Sequence, residues 1–276
     1  MKEQQSMPEI FPSHNQLARP LFRELERSHA LVEAFFEGHT TARLFVDDVD
    51  APKAGVIVCN SRVLCAGDAT QADFINKMAH TFSNELIPTH LAKGNDAYLV
   101  YAAGDGWDPA LPQLFPTHDL YHGTRQYYEI TDFTPKIALQ LPDGFSMQLI
   151  TPEFLSSDVA GLDAVREEMC SERVSVEDFL ARSFGLCPIY ENEIAGWCMS
   201  EYNVGDRCEI GIATTEKHQR KGIATLATWS FLTEAHQRGY RRVGWDCWTR
   251  NDASAATARK AGFNLIEEYP AIVVEL

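Results

Sequence analysis

Gln219-Arg220-Lys221-Gly222-Ile223-Ala224 is the stretch on which the reading of this chain turns. It lies between an alternating run, Arg207–Thr214, and an apolar run from Gly222 to Gln237 that is followed by Gly239. The first run is predicted as a strand and the second as a helix closed by that glycine. A helix leaves the amide groups of its first turn unpaired, and its dipole puts partial positive charge there, so an anion is the natural partner. Gly222 and Ala224 let an anion come close to the backbone, and Arg220 and Lys221 add full charges beside the same spot. The segment is neither a Walker loop nor a GxGxxG turn. Spacing alone leaves two readings: a phosphate cradle, or an ordinary helix start with a basic cap.

Downstream, Arg242–Trp248 alternates Val243, Trp245 and Cys247 on one face and is predicted as a strand. Asn251–Lys260 is predicted as a helix ended by Gly262, with strands at Phe263–Ile266 and Ala271–Val274. Upstream, Phe145–Ile150 reads as a strand, Pro152–Phe184 as acid-rich helices, and Cys187–Tyr190 with Ile194–Tyr202 as a hairpin turning at Glu191-Asn192. Leu141-Pro142-Asp143-Gly144 is turn chemistry and divides the chain into residues 1–140 and 141–276. In the first half a helix is expected over Leu21–Phe36, strands at Ala42–Val46, Gly55–Cys59, Val63–Ala66 and Ala97–Ala102, and a helix over Gln71–Leu91 interrupted near Pro88. Gly104–Thr117 reads as a Gly/Pro/Trp loop, Arg125–Tyr128 and Ile137–Leu141 as short strands, and Met1–Pro20 as a polar surface or disordered segment. No catalytic motif stands out in this half, and no internal repeat is visible.

The 276 residues, 45% of them hydrophobic, suit one large domain or two ordinary ones. No apolar run is long enough to span a membrane, and the first residues lack a secretory signal, so a cytoplasmic protein is expected. The seven cysteines are odd in number and form no CxxC, and the histidines do not pair with them at zinc spacing. Reduced, mostly buried thiols and no metal are therefore expected. A net charge of −15 argues against non-specific binding to nucleic acid or to an anionic membrane. The charge is uneven: Lys217 to Lys260 holds nine Lys/Arg against three acids, a local +6, whereas Leu141 to Glu216 holds four against fifteen, a local −11. A cationic island in an acidic chain points to a specific anionic ligand or to solvated helix faces.

The Gln219–Ala224 segment resembles the Gln/Arg-x-x-Gly-x-Gly/Ala signature of the GCN5-related N-acetyltransferases. Asn251-Asp252-Ala253-Ser254 followed by Lys260-Ala261-Gly262-Phe263 resembles the closing Asn-x-x-(Ala/Ser)…Lys-x-Gly-Phe motif of the same superfamily. Both occur in the right order, with a strand between them. Trp245-Asp246-Cys247 before Asn251 and Ser254, after an unusual first half, is similar to the two-domain branch that includes the zwittermicin-resistance acetyltransferase. The resemblance implies an α/β (α+β) fold with a mixed, mainly antiparallel central sheet flanked by helices in residues 141–276. It implies an α/β N-terminal domain that is a degenerate copy of the same fold. Acetyl-coenzyme A is implied as cosubstrate, bound where Arg207–Thr214 and Arg242–Trp248 splay apart. Ile212, Ala213 and Thr214 would then meet the pantetheine arm through their backbone. Gln219, Arg220, Lys221, Gly222, Ile223, Ala224 and Thr225 would hold the diphosphate, and Asn251 would contact the pantetheine from the second strand.

Acyl transfer needs a neutral amine, and a carboxylate can take its proton. Glu209 is the first candidate, because alternation places it beside Gly211 and Ala213; a solvated strand residue is the competing reading. Glu201 is the second. Family members carry a tyrosine seven residues after the asparagine as the acid for the thiolate; Ala258 stands there, leaving Ser254 or water. Cys247, Trp245 and Trp248 read as core or cleft wall. The acceptor expected is a small, cationic amine drawn by the acidic stretch, with acceptor-side residues from the first half; Trp107, Tyr127 and Tyr128 are candidate cleft aromatics there, with core packing the favoured reading of each taken singly. The alternative is a non-catalytic acyl-coenzyme A sensor or interaction module. A nucleotide-phosphate enzyme lacks any Mg²⁺-ligand pattern beside the cradle. The oligomeric state stays open, a homodimer included.

Overall fold

The computed structural model describes residues 9–10, 12–104, 106–134 and 140–276. They form two compact units: Met1–Thr124 with Tyr269–Leu276, and Arg125–Glu268.

The first unit contains β1 (Glu9–Ile10), β2 (Arg43–Val46), β3 (Ala54–Cys59), β4 (Arg62–Gly67) and β5 (Ala97–Ala103) in that spatial order. All neighbours are antiparallel except β4 and β5, which run parallel and are in register over five pairs, Arg62–Leu99 to Ala66–Ala103. The C-terminal residues Ile272–Glu275 pair antiparallel with β5 on its other side. The core is built from the buried face of the sheet, with Val56, Val63 and Val100, against Phe74, Met78, Phe82, Leu111 and Leu114 from the helices.

Three expectations change here. The predicted helix Leu21–Phe36 breaks into Arg23–Ser28 and Ala30–Phe36, because His29 takes an extended backbone and its ring packs 4.2 Å from Tyr101 and 5.1 Å from Tyr269. The interruption of Gln71–Leu91 falls at Phe82–Leu86, a wide π turn, upstream of Pro88, whose ring crowds the carbonyl four residues before it. Gly104–Thr117 is not loop throughout: Trp107–Leu114 is a helix started by left-handed Gly106. Its glycine and prolines disguise a helix-spaced stripe, Trp107, Ala110, Leu111 and Leu114, each at most 3% exposed. At the N-terminus, Pro12–Leu17 and Arg19–Phe22 form 3₁₀ turns.

In the second unit β6 (Leu120–Ile130) contributes Arg125–Ile130. It is followed by β7 (Phe145–Leu149), β8 (Gly185–Tyr190), β9 (Glu193–Ile194), β10 (Gly196–Ser200), β11 (Arg207–Thr214), β12 (Arg242–Trp248) and β13 (Asn264–Glu275), whose first residues belong here. The spatial order is β6-β12-β11-β10-β8-β7, with β9 beside β8. Again one neighbouring pair, β11 and β12, is parallel. The helix Ile223–Gln237 makes that crossover, and it packs with the helix Asp252–Ala261 on Cys208, Ile210, Val243 and Trp245. The short acidic helices between Pro152 and Arg182 cover the opposite face, packing Leu155, Val165 and Met169 in one cluster with Met199 of β10.

The second-half elements match the sequence reading closely. Phe263–Ile266 and Ala271–Val274 are one strand, β13, that runs through Pro270. Most of the predicted strand Ile137–Leu141 lies outside the described residues. The units do not divide at 140/141. β6 follows the last helix of the first unit yet pairs with β12 from Val243–Ile130 to Trp248–Arg125, and the chain's last strand ends against β5. Each unit therefore takes the strand that follows the other unit's last helix.

Candidate functional site

The β11–β12 ladder is short. Arg207, Cys208 and Glu209 face Arg242, Val243 and Gly244, and beyond these the two strands have no further register. From Ile212 the opening continues as a cleft of about 510 Å³. Its walls are the backbone run Ile212–Thr214, the turn His218–Arg220, the helix start Gly222–Thr225, and Trp245, Asn251 and Ser254. Every expected coenzyme residue lines it except Lys221.

The turn has the shape of an anion cradle. Arg220 and Gly222 both have left-handed backbones, with φ of +60° and +78°. For an arginine this costs on the order of 1–2 kcal/mol, a strain typical of ligand-binding turns. No side chain caps the helix Ile223–Gln237, so its first amides keep their donors, and a Cβ built on Gly222 meets nothing within 4 Å. Gln219 donates through Nε2 to the Thr214 carbonyl at 3.2 Å, tying the turn to the end of β11.

On the opposite wall Asn251 Oδ1 accepts from the Ser254 amide at 3.1 Å and caps the helix Asp252–Ala261. The Ser254 hydroxyl accepts from Trp245 Nε1 at 2.9 Å, which aims its own proton elsewhere. Sequence reasoning passed over Ala253, Ala256, Thr257 and Lys260, which line the cleft from this helix; their three- and four-residue spacing was the available signal. The inner stripe Ala255, Ala258 and Ala261 is 3%, 0% and 0% exposed against Trp245 and Phe263. A tyrosine at 258 has no room in that packing. Cys247 lies in the same core, and burial pushes its thiol up, with Ser254 opposing.

The polar face of β10, β11 and β12 carries the carboxylates. Glu209 is 8% exposed and does not line the cleft. Its Oε1 is 3.2 Å from Arg207 Nη2, which also donates to the Tyr127 hydroxyl at 3.2 Å. Burial pushes the Tyr127 phenol up, against the pull of Arg207. The room beside Gly211 is taken by Glu201: a Cβ on Gly211 would lie 2.5 Å from its Oε1. The amide of Glu201 donates to the Glu209 carbonyl at 2.9 Å, so the two residues are cross-strand neighbours.

Among its described residues the first unit repeats the parallel pair in a different setting. Its ladder stays closed over five pairs, and the turn before the helix Ala72–Thr81 presents Asp68. Hydrogen bonds from Thr70 and Gln71 hold that carboxyl below the usual range. A negative charge there disfavours an anion, whereas the turn of the second unit is basic.

A family model for GNAT acetyltransferases matches residues 19–272. The chain is 27% identical over 227 residues to an uncharacterized N-acetyltransferase, YdfB, of Bacillus subtilis (strain 168), which spans 82% of this chain and 83% of that protein. Its fold is similar to a GCN5-related N-acetyltransferase-like protein from Streptococcus suis 89/1591, with TM-score 0.66 and 18% identity over 92% of this chain and 98% of the other. It is also similar to a tandem GNAT protein from the clavulanic acid biosynthesis pathway, with TM-score 0.59 and 12% identity over 98% of each chain. Among the described residues no helix is long and apolar enough to cross a membrane. With a short parallel ladder opening into a cleft, a basic left-handed turn at a helix start and a family match over most of its length, the chain belongs to the GNAT acetyltransferase family.

Proposed function

We propose that this protein transfers an acetyl group from acetyl-coenzyme A to a primary amine of a small, cationic molecule, using the cleft of the second unit. The observation that carries this reading is the juxtaposition of an uncapped, basic helix start with the opening between β11 and β12. When bound, acetyl-coenzyme A supplies the acetyl thioester. The backbone of Ile212, Ala213 and Thr214 holds the pantetheine arm along β11, and the Asn251 amide reaches it from the other wall. The amides from Gln219 to Thr225, with Arg220, bind the diphosphate. Lys260 adds a further cation at the same cleft.

Proton transfer falls to the carboxylates over β11. Glu209 is ion-paired with the buried Arg207, which engages its carboxylate. Glu201, over Gly211 at the root of the opening, takes the amine proton; Glu209 with Arg207 and Tyr127 fixes its surroundings. The Ser254 hydroxyl, which accepts from Trp245 and lines the cleft, would serve as hydrogen-bond donor to the leaving sulfur. The alternative, a sensor that binds acyl-coenzyme A without turnover, is favoured by the sealed alanine stripe at 258. Release of free thiol with a panel of diamines and polyamines separates the two.

Two results are expected. Coenzyme A raises the melting temperature, since a ligand that prefers the native state stabilises it by mass action. Gly222→Leu removes that shift, because a side chain enters the open space over the helix start and the left-handed backbone strains it by about 1–2 kcal/mol. Absence of any coenzyme A binding by calorimetry at about millimolar concentration sinks the reading. Gly211→Ala displaces the Glu201 carboxylate, which is the far end of a flexible side chain and moves cheaply. Turnover should drop about 10-fold or more with coenzyme affinity and melting temperature nearly unchanged. A variant as fast as the parent removes Glu201 from the mechanism.

A further inference from the structure

His218 stands immediately before the cradle and has no part in the chemistry above. It is 3% exposed. Phe145 from β7 meets its ring edge-on at 5.3 Å, and Tyr190 from β8 lies at 5.1 Å. Lys217 beside it is ion-paired with Glu193 of β9. These contacts fasten the turn to the outer strands of the second unit, which makes the cradle a preorganised one.

The ring has a specific relation to the one cradle residue that does not line the cleft. Lys221 Nζ lies 3.4 Å from His218 Nδ1. An ammonium has donors only, so Nδ1 accepts and the ring proton sits on Nε2. Nε2 is buried and has no hydrogen-bond partner among the described residues. The charged groups that act on the ring are Lys221 and Lys217 from its own turn and Glu193 from β9. Burial first, then the two lysines, hold its pKa below the ordinary histidine value, against Glu193. His218 is therefore a neutral ring holding a cation.

We propose that His218 is a proton-linked positioning residue of the phosphate cradle: its neutral ring holds the Lys221 ammonium aside, yields it to an arriving diphosphate, and takes up a proton from solvent in exchange. This rests on the coenzyme reading. Two changes act in the same direction. Withdrawal of Lys221 frees Nδ1 and removes the nearest positive charge, and the diphosphate adds negative potential close by. Both raise the proton affinity of the ring when ligand binds. By linkage, a group that gains a proton on binding makes affinity rise as pH falls through its titration range. The exchange explains why Lys221, central to the motif, is turned from the cleft while its neighbours line it.

The test is calorimetric titration with dephospho-coenzyme A, which lacks the 3′-phosphate that titrates in the same range. Heats measured at about pH 7 in PIPES and in imidazole give the number of protons bound on association. The wild type should take up a fraction of a proton, and its affinity should weaken by about 3- to 10-fold from about pH 6 to 8. His218→Phe keeps an aromatic ring beside Phe145 and Tyr190, and His218→Gln keeps a polar one; both should bind with no proton uptake and a flat pH dependence. A purely structural role would change affinity in the variants but leave the proton count alone. Equal uptake in all three proteins, or binding without uptake in the wild type, overturns the proposal and leaves the coenzyme site standing. No binding by a folded wild type overturns the coenzyme reading and this proposal together.

Discussion

Glu201→Gln is expected to slow amine acetylation by roughly 10²–10⁴-fold, the usual worth of a positioned proton acceptor. An alkylammonium is almost wholly protonated near neutral pH and cannot attack until it loses a proton, so removing the acceptor acts on turnover. Glutamine preserves shape and hydrogen bonding but cannot take the proton. Coenzyme A affinity should stay within about twofold, because Glu201 does not line the coenzyme cleft. Glu209→Gln is the matched control and should behave differently. It withdraws the carboxylate from Arg207, whose side chain is only 3% exposed, and leaves a buried charge undercompensated. Breaking such a pair costs up to about 3–5 kcal/mol, so this variant should show itself in the melting temperature before it does in the rate. Separate measurement of kcat, coenzyme dissociation and melting temperature for both variants decides the matter. Should Glu209→Gln carry the larger rate loss at unchanged stability, the proton acceptor is Glu209 and not Glu201.

That contrast shows where sequence was sufficient and where it was not. The coenzyme side could be read because its chemistry is local: six consecutive residues form the turn, and Asn251 caps the helix that carries Ser254. The acceptor side depends on what lies across strands. Alternation placed Glu209 beside Gly211 and Ala213, and the same rule puts Arg207 on that face two residues away, a signal present but not used. What alternation could not supply is that Glu201, the residue after β10, leans over Gly211 and fills the space offered to a substrate. His218 was invisible for the same reason, since its partners Phe145 and Tyr190 come from distant strands. In the first half the strand runs were legible from their apolar patterns, but the helix Trp107–Leu114 was not. There turn-forming composition outweighed a four-residue buried stripe that only tertiary packing makes decisive.

Expression of residues 141–276 alone is expected to give a chain that neither melts cooperatively nor binds coenzyme A. By length the segment could form a domain, and the turn at Leu141–Gly144 makes a natural-looking boundary. The strand pairing says otherwise. Cutting there removes Arg125–Ile130, the partner of β12 from Val243 to Trp248. Tyr127, Tyr128 and Ile130 go with it, at 2%, 0% and 1% exposure. At about 1.5–3 kcal/mol for each buried side chain, their loss approaches the roughly 5–15 kcal/mol by which a whole domain is stable. Arg125 also leaves Asp246, Glu129 leaves Arg242, and Tyr128 leaves Arg259, so charged groups on β12 and on the helix Asp252–Ala261 lose these contacts. At the other end the fragment keeps Ile272 and Val274, 5% and 0% exposed in the full chain, without the β5 they pair with, an apolar strand edge prone to aggregate. Residues 125–268 are the informative comparison, since they hold every strand of the second unit and omit that orphaned tail. This shorter piece should melt as one transition and shift upward with coenzyme A. Circular dichroism melts of both fragments, with and without the ligand, give the answer. A cooperative, coenzyme-stabilised transition in residues 141–276 would mean that the exchanged strand is dispensable and that the domain boundary lies at the turn after all.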